Sequence, residues 1–387
     1  MRGVASSTGV RGNSLNVQLF LPTFAIEECL AEIRECLEKG WTGLGYKTVD
    51  FEKAWCEYTG LPHAHFLNSA TSGLHLAVNI LKEQERWDEG DEIITSPLTF
   101  VSTNQVILYE RLKPVFADVD QYLCLDPEDV ERKITPRTRA VMFVGMGGNT
   151  GQFDRIEQLC RKRGLRLIID AAHMAGTRLR DRTPSGDVAI FSFQAVKTLP
   201  TADAGMICFA EDKLDELARK KSWMGINKDT YSRTTQEGSY RWLYDVETIG
   251  FKYHGNSIMA AIALVQLRYL DRDTSYRRQV SEWYDAGLGE SNRIGIIPTA
   301  PDCESSRHLY QIHLENRDEM ILALNGCGIY PGVHYRDNRD YRIFRQALDT
   351  CPNATRMSQR IMSLPLHMRL TRKDVDAVVE RIQAYAH

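Results

Sequence analysis

Asp170 closes the apolar run Leu165–Asp170 (LRLIID), at the strand's carboxyl end, where open α/β sheets gather their ligands. Lys197 lies one excursion further on, past the run that ends in Phe191-Ser192-Phe193. The two bracket a single strand-to-strand excursion, so their side chains can meet over one ligand. Earlier, Asn68-Ser69-Ala70-Thr71-Ser72-Gly73-Leu74 places small and hydroxyl residues at the start of a helix running on through His75–Leu81. A helix start offers free N–H groups and hydroxyls, which make a phosphate cup. Taken singly, each feature has a commoner reading: a carboxylate capping the next turn, a solvated loop lysine, an N-cap. The combination is more specific. An amine to bond an aldehyde, a carboxylate to keep a pyridine nitrogen protonated and a helix to hold a phosphate together point to pyridoxal phosphate.

These side chains need a scaffold, and the hydrophobic pattern supplies one. From about Pro62 to Ala210, short β-branched runs alternate with amphipathic segments. Strands are predicted at Glu92–Pro97, Pro114–Val119, Arg139–Val144, Leu165–Asp170, Asp187–Phe193 and Gly205–Ala210. Helices are predicted at Val101–Tyr109 and at Asp154–Arg163, the latter stopped by Gly164. Such alternation predicts an α/β sheet covered by helices on both faces. Beyond about Leu270 the texture shifts to longer charged helices (Asp271–Gly287, Arg317–Cys327, Thr371–Ala386) around strand-like pieces such as Leu309–Leu314. The expected division is a mobile tail over 1–19, a large α/β domain over 20–268 and a smaller α+β domain over 269–387. Gly145-Met-Gly147-Gly148-Asn-Thr-Gly151 misses the GxGxxG spacing by one position, and no P-loop is present.

Composition narrows the class further. The chain of 387 residues suits two domains, and 43% hydrophobic with 26% charged residues describes an ordinary globular protein. The 48 basic and 51 acidic residues leave a net charge of −3, no footprint for nucleic acid or an anionic membrane. The longest apolar run, Ile258 to Val265, is far below the ~20 residues that a spanning helix needs. The N-terminal stretch lacks the apolar core of a secretory signal. Nine scattered cysteines form no CxxC pair, which fits reduced thiols and a cytoplasmic location and offers no metal site.

At this point the residues resemble a known family. Gly90–Asn104 (GDEIITSPLTFVSTN), Lys113–Asp120 (KPVFADVD), Asp170-Ala-Ala-His173 and Phe191–Lys197 (FSFQAVK) are similar to the pyridoxal-phosphate-dependent sugar aminotransferases of fold type I. Gly40–Gly45 (GWTGLG), Tyr244–Gly250 (YDVETIG), Ala260-Ala261, Gln266-Leu267, His334-Tyr335 and Leu364–His367 continue the match in the family's order. It covers nearly the whole chain from about residue 20.

The resemblance implies a role for each matching residue. Lys197 is the Schiff-base lysine and then the proton carrier between substrate carbon and cofactor; Asp170 partners the pyridine nitrogen. His173 lies beside the cofactor, and Phe100 is the aromatic that stacks on its ring. Ser192 and the helix start at Ala70, Thr71 and Ser72 bind phosphate. Thr42, Gly43, His334 and Tyr335 meet the substrate. The implied fold is a large, mostly parallel seven-stranded sheet domain with a smaller C-terminal α+β domain. The implied assembly is a homodimer sharing its active sites, with the segment Gly250–His254 crossing over; where the family has asparagine, the charge of Lys252 suits a phosphate, and it is expected to approach the partner's cofactor phosphate. The implied reaction converts a nucleotide-linked keto-sugar to an amino sugar with L-glutamate as donor, the cofactor alternating with pyridoxamine phosphate. Surface polysaccharides or glycosylated natural products are the family's typical destinations.

Departures limit what carries over. Gly145 stands where relatives often have histidine, and Ile169 replaces a frequent glutamate. Asp203-Ala204-Gly205 replaces Glu-Gly-Gly, and Lys252 and His254 replace asparagine and arginine. The family's sugar preference therefore does not transfer. Rival expectations are a cyclitol-ketone aminotransferase and a pyridoxamine-phosphate-dependent dehydratase. The dehydratase branch has histidine where Lys197 stands. A non-catalytic cofactor-binding module need not keep both Asp170 and Lys197.

Overall fold

The structure, a computed structural model, describes residues 15–227, 244–289, 291–345 and 349–385. The large domain begins with α1 (Ile26–Glu38) and α2 (Tyr46–Thr59), then β1 (His65–Leu67) and α3 (Ala70–Glu85). It continues through β2 (Glu92–Thr95), α4 (Ser102–Tyr109), β3 (Lys113–Phe116), α5 (Pro127–Lys133) and β4 (Thr138–Val144). Next come α6 (Phe153–Arg163), β5 (Arg166–Asp170), β6 (Arg178–Leu179), β7 (Val188–Ser192), β8 (Gly205–Phe209) and α7 (Asp212–Ser222). Helices α8 (Ser257–Leu267) and α9 (Leu270–Leu288) lead into β9 (Gly295–Ile296), β10 (Cys303–Glu304) and β11 (Tyr310–His313). The chain closes with α10 (Arg317–Gly326), α11 (Pro352–Arg360), β12 (Ile361–Leu364) and α12 (Arg372–Tyr385).

Seven strands form one sheet in the order β1-β8-β7-β5-β4-β2-β3, with β8 antiparallel to both neighbours and the other pairs parallel. Alternation along the strands divides the core in two. Val141, Phe143, Leu167, Ile169, Ala189 and Phe191 face one side, packed with Phe51 and Trp55 of α2. Ala140, Met142, Ile168, Val188 and Ile190 face the other, packed with Leu74, Val78 and Leu81 of α3. This is the expected mostly parallel sheet with helices on both faces.

Local signals set the element ends. Ser69 caps α3 by accepting from the Ser72 N–H at 3.1 Å. Gly164 ends α6 with φ +67°, a left-handed conformation that a side chain resists. The strand predicted at Pro114–Val119 ends earlier than expected, because after Phe116 the chain leaves the ladder and turns into a Val119–Leu125 bridge.

A second core gathers Val280, Tyr284, Tyr310, Ile312, Leu324, Met362, Leu364, Val375 and Val378, where α9, α10 and α12 pack on the antiparallel sheet β12-β11-β9. Val17 belongs to this core. Its N–H donates to Gly328 O at 2.8 Å, and its carbonyl accepts from the Tyr330 N–H at 2.9 Å. The stretch 15–19 is thus packed against the small domain, which corrects its assignment to a mobile tail. The apolar pair Leu15 and Val17, two residues apart, accounts for it; residues 1–14 lie outside the described residues. Among the described residues no helix is long and apolar enough to cross a membrane.

Candidate active site

Six strands of the sheet point one way, and the carboxyl ends of β4, β5 and β7 place Val144, Asp170 and Ser192 on the wall of a cavity of about 510 Å3. Register does the positioning. Asp170 pairs with Val144 on one side and Ile190 on the other, and Ser192 pairs with Gly205, which in turn pairs with Leu67. The start of α3 therefore stands beside Ser192. Gly205 makes this possible: a Cβ there would lie 2.5 Å from Ala70 N and from Ser69 C. Ala70, Thr71, Phe100, His173, Lys197, His334 and Tyr335 complete the expected residues that line the cavity.

Burial sets the charges. The Lys197 amine is lowered from 10.5 to about 8 by loss of solvent, against the opposing pull of Asp170. Burial raises Asp170, and the Thr103 hydroxyl, the Ala172 N–H and Lys197 work against that rise. Thr103 Oγ1 donates to Asp170 Oδ2 at 2.7 Å, and Ala172 N–H donates to Oδ1 at 3.1 Å. The commoner fate of Asp170, a cap on the turn that follows, is thus met by one oxygen only.

His173 is pushed well below its ordinary value by burial and then by Lys197, so its ring is neutral. Its Nδ1 accepts from the Gly147 N–H at 3.2 Å, which leaves the proton on Nε2 to donate to Tyr335 Oη at 3.2 Å. His308 backs the same ring at 4.3 Å between centroids. Burial lowers His334 to about 4, and its Nδ1 meets Ser363 Oγ at 2.9 Å. Phe100 is 56% exposed at the mouth and 6.0 Å from the Tyr335 ring, free to cover a flat ligand.

Four expected residues do not line this cavity. Ser72 is consumed in the cap: its N–H goes to Ser69 Oγ, and its hydroxyl goes to Asn68 Oδ1 at 2.6 Å. Ser69 lines the wall in its place. Thr42 and Gly43 are exposed, and the Gly43 carbonyl accepts from the Ser257 N–H at 2.7 Å. Lys252 sits near α3, its carbonyl accepting from Asn68 Nδ2, but its ammonium lies 3.3 Å from the centre of the Trp223 ring.

Sequence reasoning missed Thr103, Gln194 and His308. Thr103 was within reach, since it is a hydroxyl one helical turn beyond Phe100 in a segment already quoted. At Gly145, where relatives often have histidine, a Cβ would lie 2.1 Å from Met174 Sδ. The thioether has taken that space.

A roomier cavity, about 640 Å3, opens beside Glu52 and His65. It holds none of the expected residues, and its central charged groups satisfy one another: Glu52 accepts from the Phe66 N–H and from Arg219, and pairs with His65 Nδ1 at 3.0 Å. Among the described residues no cluster of His, Cys, Asp or Glu could hold a metal ion.

The residues of the first cavity fit pyridoxal phosphate. At the start of α3 the amides of Ala70 and Thr71 have no intrahelical partner and are joined by the hydroxyls of Thr71 and Ser192; the cradle stays open because residue 205 has no Cβ. Asp170 would hold the ring nitrogen and Lys197 the aldehyde carbon. When bound, the group supplies an electron sink for the carbon being aminated. The protein's part is the rest. Lys197, lowered to about 8, would give and take the proton; neutral His173 would lie beside the ring, with Tyr335 toward the substrate, and the buried walls would exclude water.

Residues 24–383 match the profile of the DegT/DnrJ/EryC1/StrS aminotransferase family. Among solved structures, the chain is similar to the aminotransferase TlmJ from Streptoalloteichus hindustanus. Identity is 31% and TM-score 0.88, covering 95% of this chain and 98% of that one. It is also similar to Helicobacter pylori PseC, an aminotransferase involved in the biosynthesis of pseudoaminic acid, at 25% identity and TM-score 0.88, covering 96% and 99%. The sugar aminotransferase Spr1654 from Streptococcus pneumoniae, described as putative and solved in its PMP form, matches at 27% identity and TM-score 0.88, covering 96% and 99%.

Proposed function

Since the chain belongs to the DegT/DnrJ/EryC1/StrS family and is a pyridoxal-phosphate-dependent sugar aminotransferase, we propose that its substrate is a nucleotide-linked keto-sugar and its amino donor L-glutamate. One observation carries the reading: Asp170, Lys197, His173, Ser192 and the start of α3 converge on a single cavity whose mouth, at Phe100 and Tyr335, is open. A large acceptor can enter there with its nucleotide outside. Lys197 argues against dehydration, because a lysine returns the proton that completes amination.

The proposal includes a cytoplasmic homodimer with shared sites. Among the described lining residues, Lys197 is the only lysine or arginine, and His173 and His334 are held neutral. A phosphate dianion and a donor carboxylate call for more positive charge than that. Lys252, at one chain's surface beside the exposed apolar residues Met224, Val246 and Ile249, can be delivered by a second copy. Products of this reaction would serve surface polysaccharides or glycosylated natural products.

The test separates the two half-reactions. The protein is loaded with pyridoxal phosphate and given L-glutamate, which should bleach the visible band of the lysine-bound cofactor. Nucleotide-linked keto-sugars should then restore the band. Restoration only by a free cyclitol ketone would transfer the assignment to the cyclitol reading, and no bleaching by glutamate would remove it as donor.

A further inference from the structure

We infer that Thr103 is a positioning residue for Asp170, the end of a one-way hydrogen-bond chain that keeps this carboxylate ionised against the cofactor ring nitrogen. The inference rests on the reading of the cavity as a pyridoxal-phosphate site. Thr103 is wholly buried, and its single hydroxyl proton goes to Asp170 Oδ2 at 2.7 Å. Its contact with Thr99 Oγ1 at 3.0 Å must therefore run the other way, with Thr99 donating and Thr103 accepting. Proton direction is fixed from Thr99 to Thr103 to Asp170, and each link polarises the next.

The chain is anchored at its far end. The Thr99 carbonyl accepts from Asn338 Nδ2 at 2.8 Å, and Asn338 Oδ1 accepts from Asn104 Nδ2 at 2.9 Å. Asn338 and Asn104 are both fully buried. Asn338 lies just beyond Tyr335, so the small-domain segment that lines the substrate side is tied to the turn that aims Thr103. Position and charge of Asp170 are set together.

The chemistry follows from where a shared proton rests. Between a pyridine nitrogen and a buried carboxylate, the proton can sit on the ring, leaving an ion pair, or on the carboxylate, leaving a neutral pair. Burial favours the neutral pair, because the charged forms lose solvation. Hydrogen bonds donated to the carboxylate favour the ion pair. Among the described residues Asp170 receives two such bonds, and Thr103 supplies the one on Oδ2. Removing it should move the proton to the carboxylate and weaken the ring as an electron sink. Asp170 would remain in place.

The experiment uses the holoenzyme loaded with pyridoxal phosphate labelled with 15N in its ring, and reads the ring nitrogen by NMR across pH. Wild type should show the protonated-ring position. T103V, nearly isosteric, should shift the signal downfield toward the neutral-pyridine position, and T103S should restore it. Should T103V not fold, T103A gives the same comparison. An unchanged ring signal in the variant lacking the hydroxyl, or a shift that T103S does not reverse, overturns the role of Thr103. Failure of the wild-type protein to bind the labelled cofactor would instead overturn the reading of the cavity.

Discussion

Lys197 can act only as the neutral amine, and its surroundings make that form available near physiological pH. Burial takes it from 10.5 to about 8, while Asp170 pulls it back only in part. The sign is direct: neutral amine grows as pH rises, so the rate of cofactor capture should climb through pH 8 and level off above it. Stopped-flow absorbance checks this, and a climb centred above pH 10 would describe an ordinary exposed lysine. At Asp170, replacement by Asn keeps the size and removes the charge. The expected outcome is a chemical step slowed by about 10²-fold or more with cofactor affinity changed far less, measured by single-turnover kinetics and titration. Affinity loss alone would reduce Asp170 to a cap. Both residues were legible in the sequence because their signals are local: a carboxylate ending an apolar run, a lysine after the next strand. Thr103 was visible as a hydroxyl in a quoted segment, but its role was not, since the partner that gives it meaning lies 67 positions away.

Among the elements, the start of α3 depends on the strand behind it. Gly205 opens β8 with its α-carbon against Ser69 and Ala70, where an added methyl would come within 2.5 Å of backbone atoms. Gly205→Ala should therefore push α3 outward, lowering cofactor affinity and costing about 1–3 kcal/mol of stability through overpacking. Cofactor titration and chemical denaturation read both effects; unchanged affinity would place the phosphate elsewhere. Strand order and helix positions were readable from periodicity, because strands buried on both faces and capped helices leave strong local patterns. The placement of Thr42 and Gly43 was not. Their surroundings are made by α8, where Ser257 holds the Gly43 carbonyl, a contact between distant parts of the chain. Val17 was misjudged for the same reason, since its ladder partner is Ile329.

For the whole molecule, the proposed shared site needs two chains. Among the described residues Lys252 does not line its own chain's cavity, and Ile249 beside it is 84% exposed. Mixing Lys197→Ala and Lys252→Ala proteins and allowing exchange should restore about a quarter of full activity at limiting cofactor, by site counting in a two-fold dimer. No gain over the parents' average would confine Lys252 to its own chain or to no site at all. Beneath this lies the central claim, that one lysine of the whole chain carries the cofactor. Borohydride reduction of the protein loaded with pyridoxal phosphate fixes the link permanently, and mass mapping of all lysine-containing peptides then locates it. The account predicts a single phosphopyridoxyl group, on Lys197; a label on another lysine, or none on Lys197, would contradict it.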